Sequence, residues 1–156
     1  MVRSKKTLCM YALKMMFKSQ LLRNELYVRN LRREYEVQVK IKHPNILPIL
    51  GYFWDEKHVY FIMELMSDGD LFTFQRSLPD RRFTEARASA ICKQLLLALA
   101  HIHARGIIHR DIKPENIMVE GDTIKLADFG WAVHTDKGTR KSMCGTLEYF
   151  PNEMVK

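Results

Sequence analysis

The sequence predicts an α+β fold in two parts, a small strand-rich N-terminal part followed by a helical one that carries a hairpin and then a long loop. Three observations predict it. Apolar runs of strand length crowd into residues 8–64, a 3.6-residue apolar period runs from residue 84 to 104, and two short β-branched runs flank Glu120-Gly121-Asp122.

Taken in order, residues 8–16 form a strand-like run with one embedded charge, Lys14. A long polar segment with helical spacing at Leu26, Leu31, Val37 and Ile41 follows it. His43-Pro44-Asn45 ends that helix, because proline disfavours helical geometry in the residue before it. Residues 46–54 and 58–64 read as strands joined by the turn Asp55-Glu56-Lys57. After Ser67-Asp68-Gly69 the pattern is helical again, briefly to Ser77 and then at length from the N-cap Thr84 to Ala104, with Gly106 just past the end. The stripe Leu95, Leu96, Leu99 and Ile102 reads as the core face of that helix. Residues 117–119 and 123–126 make the hairpin, and the chain then turns polar and irregular up to Pro151.

A length of 156 residues, 47% apolar and 28% charged, fits one globular domain. No stretch approaches the roughly 20 uncharged residues of a membrane span, and residues 1–6 lack the apolar core of a secretory signal, so an intracellular protein with no membrane partner is expected. Cys9, Cys92 and Cys144 are odd in number, widely spaced and outside any C-x-x-C pattern, which indicates reduced thiols. The net charge of +7 gathers at Arg29, Arg32, Arg33, Lys40 and Lys42 and again at Lys137, Arg140 and Lys141. No aromatic stacking pattern runs between them, so no specific nucleic-acid partner is expected. His101 and His103 stand at i and i+2 of a helix and point apart, which argues against a metal cluster with His109.

Between the long helix and the hairpin stands His109-Arg110-Asp111-Ile112-Lys113-Pro114-Glu115-Asn116, and just after the hairpin Asp128-Phe129-Gly130. Phosphoryl transfer needs a carboxylate near the attacking hydroxyl, oxygen ligands for magnesium, and a cation on the migrating phosphate. Asp111, the pair Asn116 and Asp128, and Lys113 can supply these in turn.

Together with Tyr11-Ala12-Leu13-Lys14 upstream, these motifs resemble the signature set of protein kinases over nearly the whole chain. The resemblance implies a two-lobed kinase-like fold, with residues 1–63 as a partial N-lobe and 64–156 as the hinge and the start of the C-lobe. It implies ATP and Mg2+ as cofactors. Lys14 would hold the α and β phosphates and pair with Glu34. Ala12, Met118, the gatekeeper Met63, and Glu64 to Met66 at the hinge would hold adenine. Asp111, Lys113 and Asn116 would be catalytic, and Asn116 with Asp128 would bind metal.

Finer features resemble Aurora kinases: Leu31-Arg32-Arg33-Glu34, His43-Pro44-Asn45-Ile46-Leu47, Gly51-Tyr52-Phe53, Trp131 after Asp128-Phe129-Gly130, and Cys144-Gly145-Thr146-Leu147. Gln38 matches the polar residue those kinases place in an apolar stack with Ile49, Phe129 and His109. The same resemblance puts an activating phosphorylation at Ser142, held by Arg110, and an activating peptide on the N-lobe around Arg32 and Arg33. Glu115 would read an arginine upstream of the phosphoacceptor; Asp70, an acid where Aurora kinases do not usually place one, is a departure that would add a second carboxylate and shift preference further toward arginine. Lys113 with Thr146 fits serine/threonine rather than tyrosine substrates. Cell-cycle control, with nuclear or cytoplasmic location and spindle or chromosome association, is what the resemblance implies.

Only thirteen residues precede Lys14 and none is glycine, so the glycine-rich loop is expected to be missing; Pro151-Asn152-Glu153 resembles the A-P-E segment near the other end. A polypeptide cut short at both ends is expected to be marginally folded and weakly active alone. The rival readings are a non-catalytic kinase-like binding module and a basic nucleic-acid binder.

Overall fold

A computed structural model describes residues 1–135 and 145–149. In chain order they form β1 (Val2–Arg3), β2 (Met10–Phe17), α1 (Lys18–Arg23), α2 (Glu25–Gln38), β3 (Ile49–Trp54), β4 (His58–Glu64), α3 (Leu71–Ser77), α4 (Glu85–His103), β5 (Ile107–Ile108), β6 (Ile117–Glu120), β7 (Thr123–Leu126) and β8 (Val133–His134). Short 3-10 turns lie at Pro114–Asn116, Phe129–Trp131 and Leu147–Tyr149.

The N-terminal strands make one antiparallel sheet in the order β1-β2-β4-β3. Its register sets Ala12 opposite Met63 and Lys14 opposite Phe61. The single helix expected after β2 is two, because Asn24 adopts an extended backbone and its side chain accepts a bond from Leu26 N at 2.9 Å, capping a new start. α2 also ends at Gln38, five residues before His43, so Ile41 is buried from a loop rather than from the helix. There the His43 ring takes over the turn, its Nδ1 accepting from Asn45 N at 3.0 Å. The strand expected from residue 46 starts at Ile49, since Leu47 N bonds Leu126 O and Leu126 N bonds Asn45 O, both at 2.9 Å.

Those two bonds stitch the N-terminal part to the β6–β7 hairpin, whose Ile117, Val119, Ile124 and Leu126 share one core with Ala98 and Ile102 of α4. A polar clasp reinforces it. Asn45 Nδ2 donates to Ile124 O and to Gln94 Oε1, and Gln94 Oε1 also accepts from Ile124 N. α4 starts on its expected cap, Thr84, but Leu96 turns outward at 64% exposure while Leu95, Leu99 and Ile102 pack inward. At a 100° step per residue, 95, 99 and 102 share a face and 96 does not. The β5–β8 pairing was not anticipated; it closes over Gly106, whose φ of +68° and 2.9 Å approach of its would-be Cβ to Thr135 O leave room for glycine alone.

Candidate active site

The loop from β5 to the Pro114–Asn116 turn folds around Asp111, which is only 7% exposed. Asn116 Nδ2 donates to Asp111 O at 2.8 Å and to its Oδ2 at 2.9 Å. Thr146 Oγ1 donates to Asp111 Oδ1 at 2.7 Å and accepts from Lys113 Nζ at 2.7 Å. The Lys113 ammonium also lies 3.1 Å from Asp111 Oδ2. Burial pushes the Asp111 carboxyl up, but the bonds from Thr146, Lys113 and Asn116 outweigh it and hold the group below its ordinary range, so it is ionised at neutral pH.

Lys14 Nζ on β2 donates to Glu34 Oε1 at 2.6 Å and Oε2 at 2.8 Å from α2, and lies 3.6 Å from Asp128 Oδ2. Burial disfavours the Lys14 ammonium, yet the two carboxylates raise it above its ordinary range and keep it charged. Burial pushes the Glu34 carboxyl up, opposed by Lys14. Asp128 sits in the left-handed region at φ 59°, its Oδ1 accepting from Gly130 N, which turns the carboxylate toward Lys14 while Phe129 goes to the core. Beneath it the His109 ring meets Phe129 edge-on at 4.7 Å and bonds Ala127 O at 3.0 Å. Burial lowers the His109 pKa, so the ring is neutral.

The whole chain, residues 1–156, matches the protein kinase domain family. The chain belongs to that family. Its relatives include Aurora kinase B of Drosophila melanogaster, 46% identical over 92% of this chain and 44% of the relative, and Aurora kinase B of Mus musculus, 45% identical over 100% of this chain and 45% of the relative. Serine/threonine-protein kinase Aurora-1 of Arabidopsis thaliana is 44% identical over 100% of this chain and 52% of that protein. The sequence is similar to these Aurora kinases over nearly its whole length, and it spans about half the length of the curated relatives it matches.

The other expected positions of this kinase domain fall as follows. Met63, Met66 and Met118 pack with Leu47 and Ala127 into one apolar cluster, and Ala12 stands beside it in register with Met63. Glu64 Oε2 takes Lys125 Nζ at 2.5 Å. Gln38 is buried, its Nε2 donating to Leu47 O at 2.6 Å. Glu115 is exposed. Asp70 caps α3, both oxygens bonded to Thr73 at 2.8 Å, so its carboxylate is engaged within the chain. Arg110 holds φ +70° and its Nε donates to Trp131 O at 2.8 Å. Ser142, Cys144 and residues 151–153 lie outside the described residues.

Two contributors escaped the sequence reading. The Asn45–Gln94 clasp that seats the hairpin is signalled only by a polar residue beside the apolar stripe of α4, and the Arg110 bond to Trp131 by nothing local. Family membership implies ATP as substrate and generally Mg2+. The residues fit a magnesium ion: Asn116 spends its Nδ2 on Asp111, its amide oxygen has no hydrogen-bond partner among the described residues, and the Asp128 carboxylate is 42% exposed. One amide and one carboxylate oxygen suit a cation that takes few protein ligands and keeps its waters. Among the described residues no helix is long and apolar enough to cross a membrane.

Proposed function

We propose that this chain is an ATP- and Mg2+-dependent serine/threonine protein kinase of Aurora type, acting in cell-cycle control on serine or threonine in basic sequence contexts. The observation that carries it is the Asp111 carboxylate, fixed through both oxygens by Thr146, Lys113 and Asn116 and ionised at neutral pH.

In that reading Asp111 accepts the proton of the attacking hydroxyl, and Lys113 neutralises charge on the migrating phosphoryl group. Thr146 bridges the two, so that moving either disturbs the other. Lys14 holds the α and β phosphates, and Glu34 and Asp128 keep it charged and aimed. Asn116 and Asp128 would hold Mg2+, which when bound neutralises the β and γ phosphates. Ala12, Met63, Glu64, Met66 and Met118 line the adenine position. Glu115 reads an upstream arginine; Asp70 could join it only by leaving its cap on α3. Ser142 takes an activating phosphate that Arg110 would help to hold.

An activating peptide fits the cavity of about 620 Å³ beside α1 and α2, lined by Leu21, Leu22, Leu26, Val28, Arg29 and Arg32. A nuclear or cytoplasmic location with spindle or chromosome association accords with this reading.

The test is transfer of labelled phosphate from ATP to an Arg-Arg-x-Ser peptide, beside its Ala-Ala-x-Ser and tyrosine counterparts, by the wild type and Glu115→Ala. Magnesium-dependent labelling of the arginine peptide, and loss of that preference by about tenfold in the variant, are expected. Equal labelling of all peptides would overturn the substrate class, and none of any would overturn the activity.

A further inference from the structure

One short basic motif is untouched by the reading above. Residues 81–84 run Arg81-Arg82-Phe83-Thr84 and end on the cap of α4. The structure turns this segment so that its readable groups face out: Arg81, Arg82 and Thr84 are exposed, while Phe83 between them stacks on Phe74 with ring centroids 6.1 Å apart. Among the described residues neither Arg81 nor Arg82 makes an ion pair, so both guanidinium groups are available to another protein's carboxylates. Thr84 is extended, at φ −66° and ψ 155°, and among the described residues its hydroxyl is tied only by a long 3.3 Å bond from Arg87 N. Two backbone bonds, Arg81 N to Leu78 O at 3.0 Å and Ala88 N to Thr84 O at 2.9 Å, must break for the motif to lie straight in an enzyme's groove.

We propose that Thr84 is a phosphorylation site for a separate, arginine-directed serine/threonine kinase. Thr84 Oγ1 attacks the γ-phosphorus of ATP, the new O–P bond replaces the bond to the bridging oxygen, ADP leaves with that electron pair, and the hydroxyl proton passes to the modifying enzyme's base. The product carries about −1.5 to −2 charge one turn from Arg87. At present Arg87 lies over the Phe74 ring at 4.9 Å, donates to Gly121 O at 3.0 Å, and stands 3.9 Å from the fully exposed Asp122 carboxylate. A phosphate on Thr84 competes for that guanidinium and ties the modification to the β6–β7 turn, which leads on to Asp128.

The experiment uses the Asp111→Asn chain, so that its outcome is independent of any activity of its own, with a purified arginine-directed kinase verified on an Arg-Arg-x-Ser peptide. Mass spectrometry of the native protein should find phosphate on Thr84. Arg82→Ala should slow that labelling by about tenfold, the worth of one charge-assisted contact. Both arginines are exposed, so an unchanged thermal melt of Arg82→Ala shows that folding is not the cause. The proposal is overturned if Thr84 stays unmodified while the peptide is turned over, if Arg82→Ala is labelled as fast as its parent, or if Thr84 is labelled only after heat unfolding.

Discussion

Asp111 stands on a loop braced by the β6–β7 hairpin, whose Val119, Ile124 and Leu126 are almost wholly buried, whereas Lys14 across the cleft stands on a sheet whose Met15, Phe17, Tyr52 and Trp54 are exposed. The lower side is held by core packing plus a closed ring of hydrogen bonds around one carboxylate. The upper side has little core of its own, and a single ion pair from α2 sets the position of its working cation. The difference teaches where each side is vulnerable. Changes to the lower side remove chemistry while the surrounding core keeps its shape, and changes to the upper side release a group that little else restrains.

The largest expected effect short of the base itself comes from Asp128→Asn, which removes the carboxylate facing Lys14 and one of the two oxygen donors proposed for magnesium. Loss of such charge stabilisation should lower kcat/KM for ATP by about 10²- to 10³-fold, read in the peptide assay. Its melting temperature should change little, since the side chain is half exposed and Phe129 keeps its place. A large drop in melting temperature would mean that the lower side is not independently braced.

Next in size is Glu34→Gln, which leaves the Lys14 ammonium without its close partner. Misplacing a phosphate-binding group by about 1 Å costs on the order of 10²-fold in rate, and that loss is expected here. Unlike the Asp128 variant, it should also speed amide exchange along β2 and α2 while leaving β6 and β7 unchanged. Uniform exchange across both halves would erase the comparison.

The smallest effect is a pH slope in stability. His109 is buried and neutral, with a pKa lowered from 6.5 by burial, so the unfolded chain takes up its proton first as the solution is acidified. The stabilisation is complete above about pH 6.5 and is lost as pH falls through the lowered value, so the melting temperature should be lower at pH 5 than at pH 7.5. His101, lowered by burial, Arg105 and His43, adds to the same slope. His109→Phe keeps the edge-on contact with Phe129 and should flatten part of it; an unaltered slope would show that His109 is not one of its sources. Asp111, held below 3.8, does not protonate in that window.

Most of this architecture was legible in the chain because its signals are local. Strand-like runs matched β4 and β7 at their observed limits, and Thr84 and Gly106 marked the ends of α4. The motifs around Asp111 and Asp128 named residues that the fold then brought together at 2.6–3.6 Å from their partners. What escaped was set by tertiary contact. Asn24 could have been an ordinary helical residue until its backbone left the helix, Leu96 belonged to an apolar run before the turn angle was counted, and β5 and β8 are two residues each. Asp70 looked available for a substrate until α3 claimed its carboxylate as a cap. The partners of Arg110 and Asn45 lie 21 and 49 residues away, beyond any window that periodicity can read.

The central claim is that the ionised, doubly anchored Asp111 is the base of a phosphoryl transfer. Asp111→Asn keeps the size and shape of the side chain but removes the charge and one acceptor, so the most direct measurement is magnesium-dependent transfer of labelled γ-phosphate from ATP to an Arg-Arg-x-Ser peptide by the wild type and this variant, with a thermal melt of each. The account predicts transfer by the wild type, a fall of about 10²- to 10⁴-fold in the variant, and closely similar melting temperatures. Transfer by the variant at the wild-type rate would contradict it.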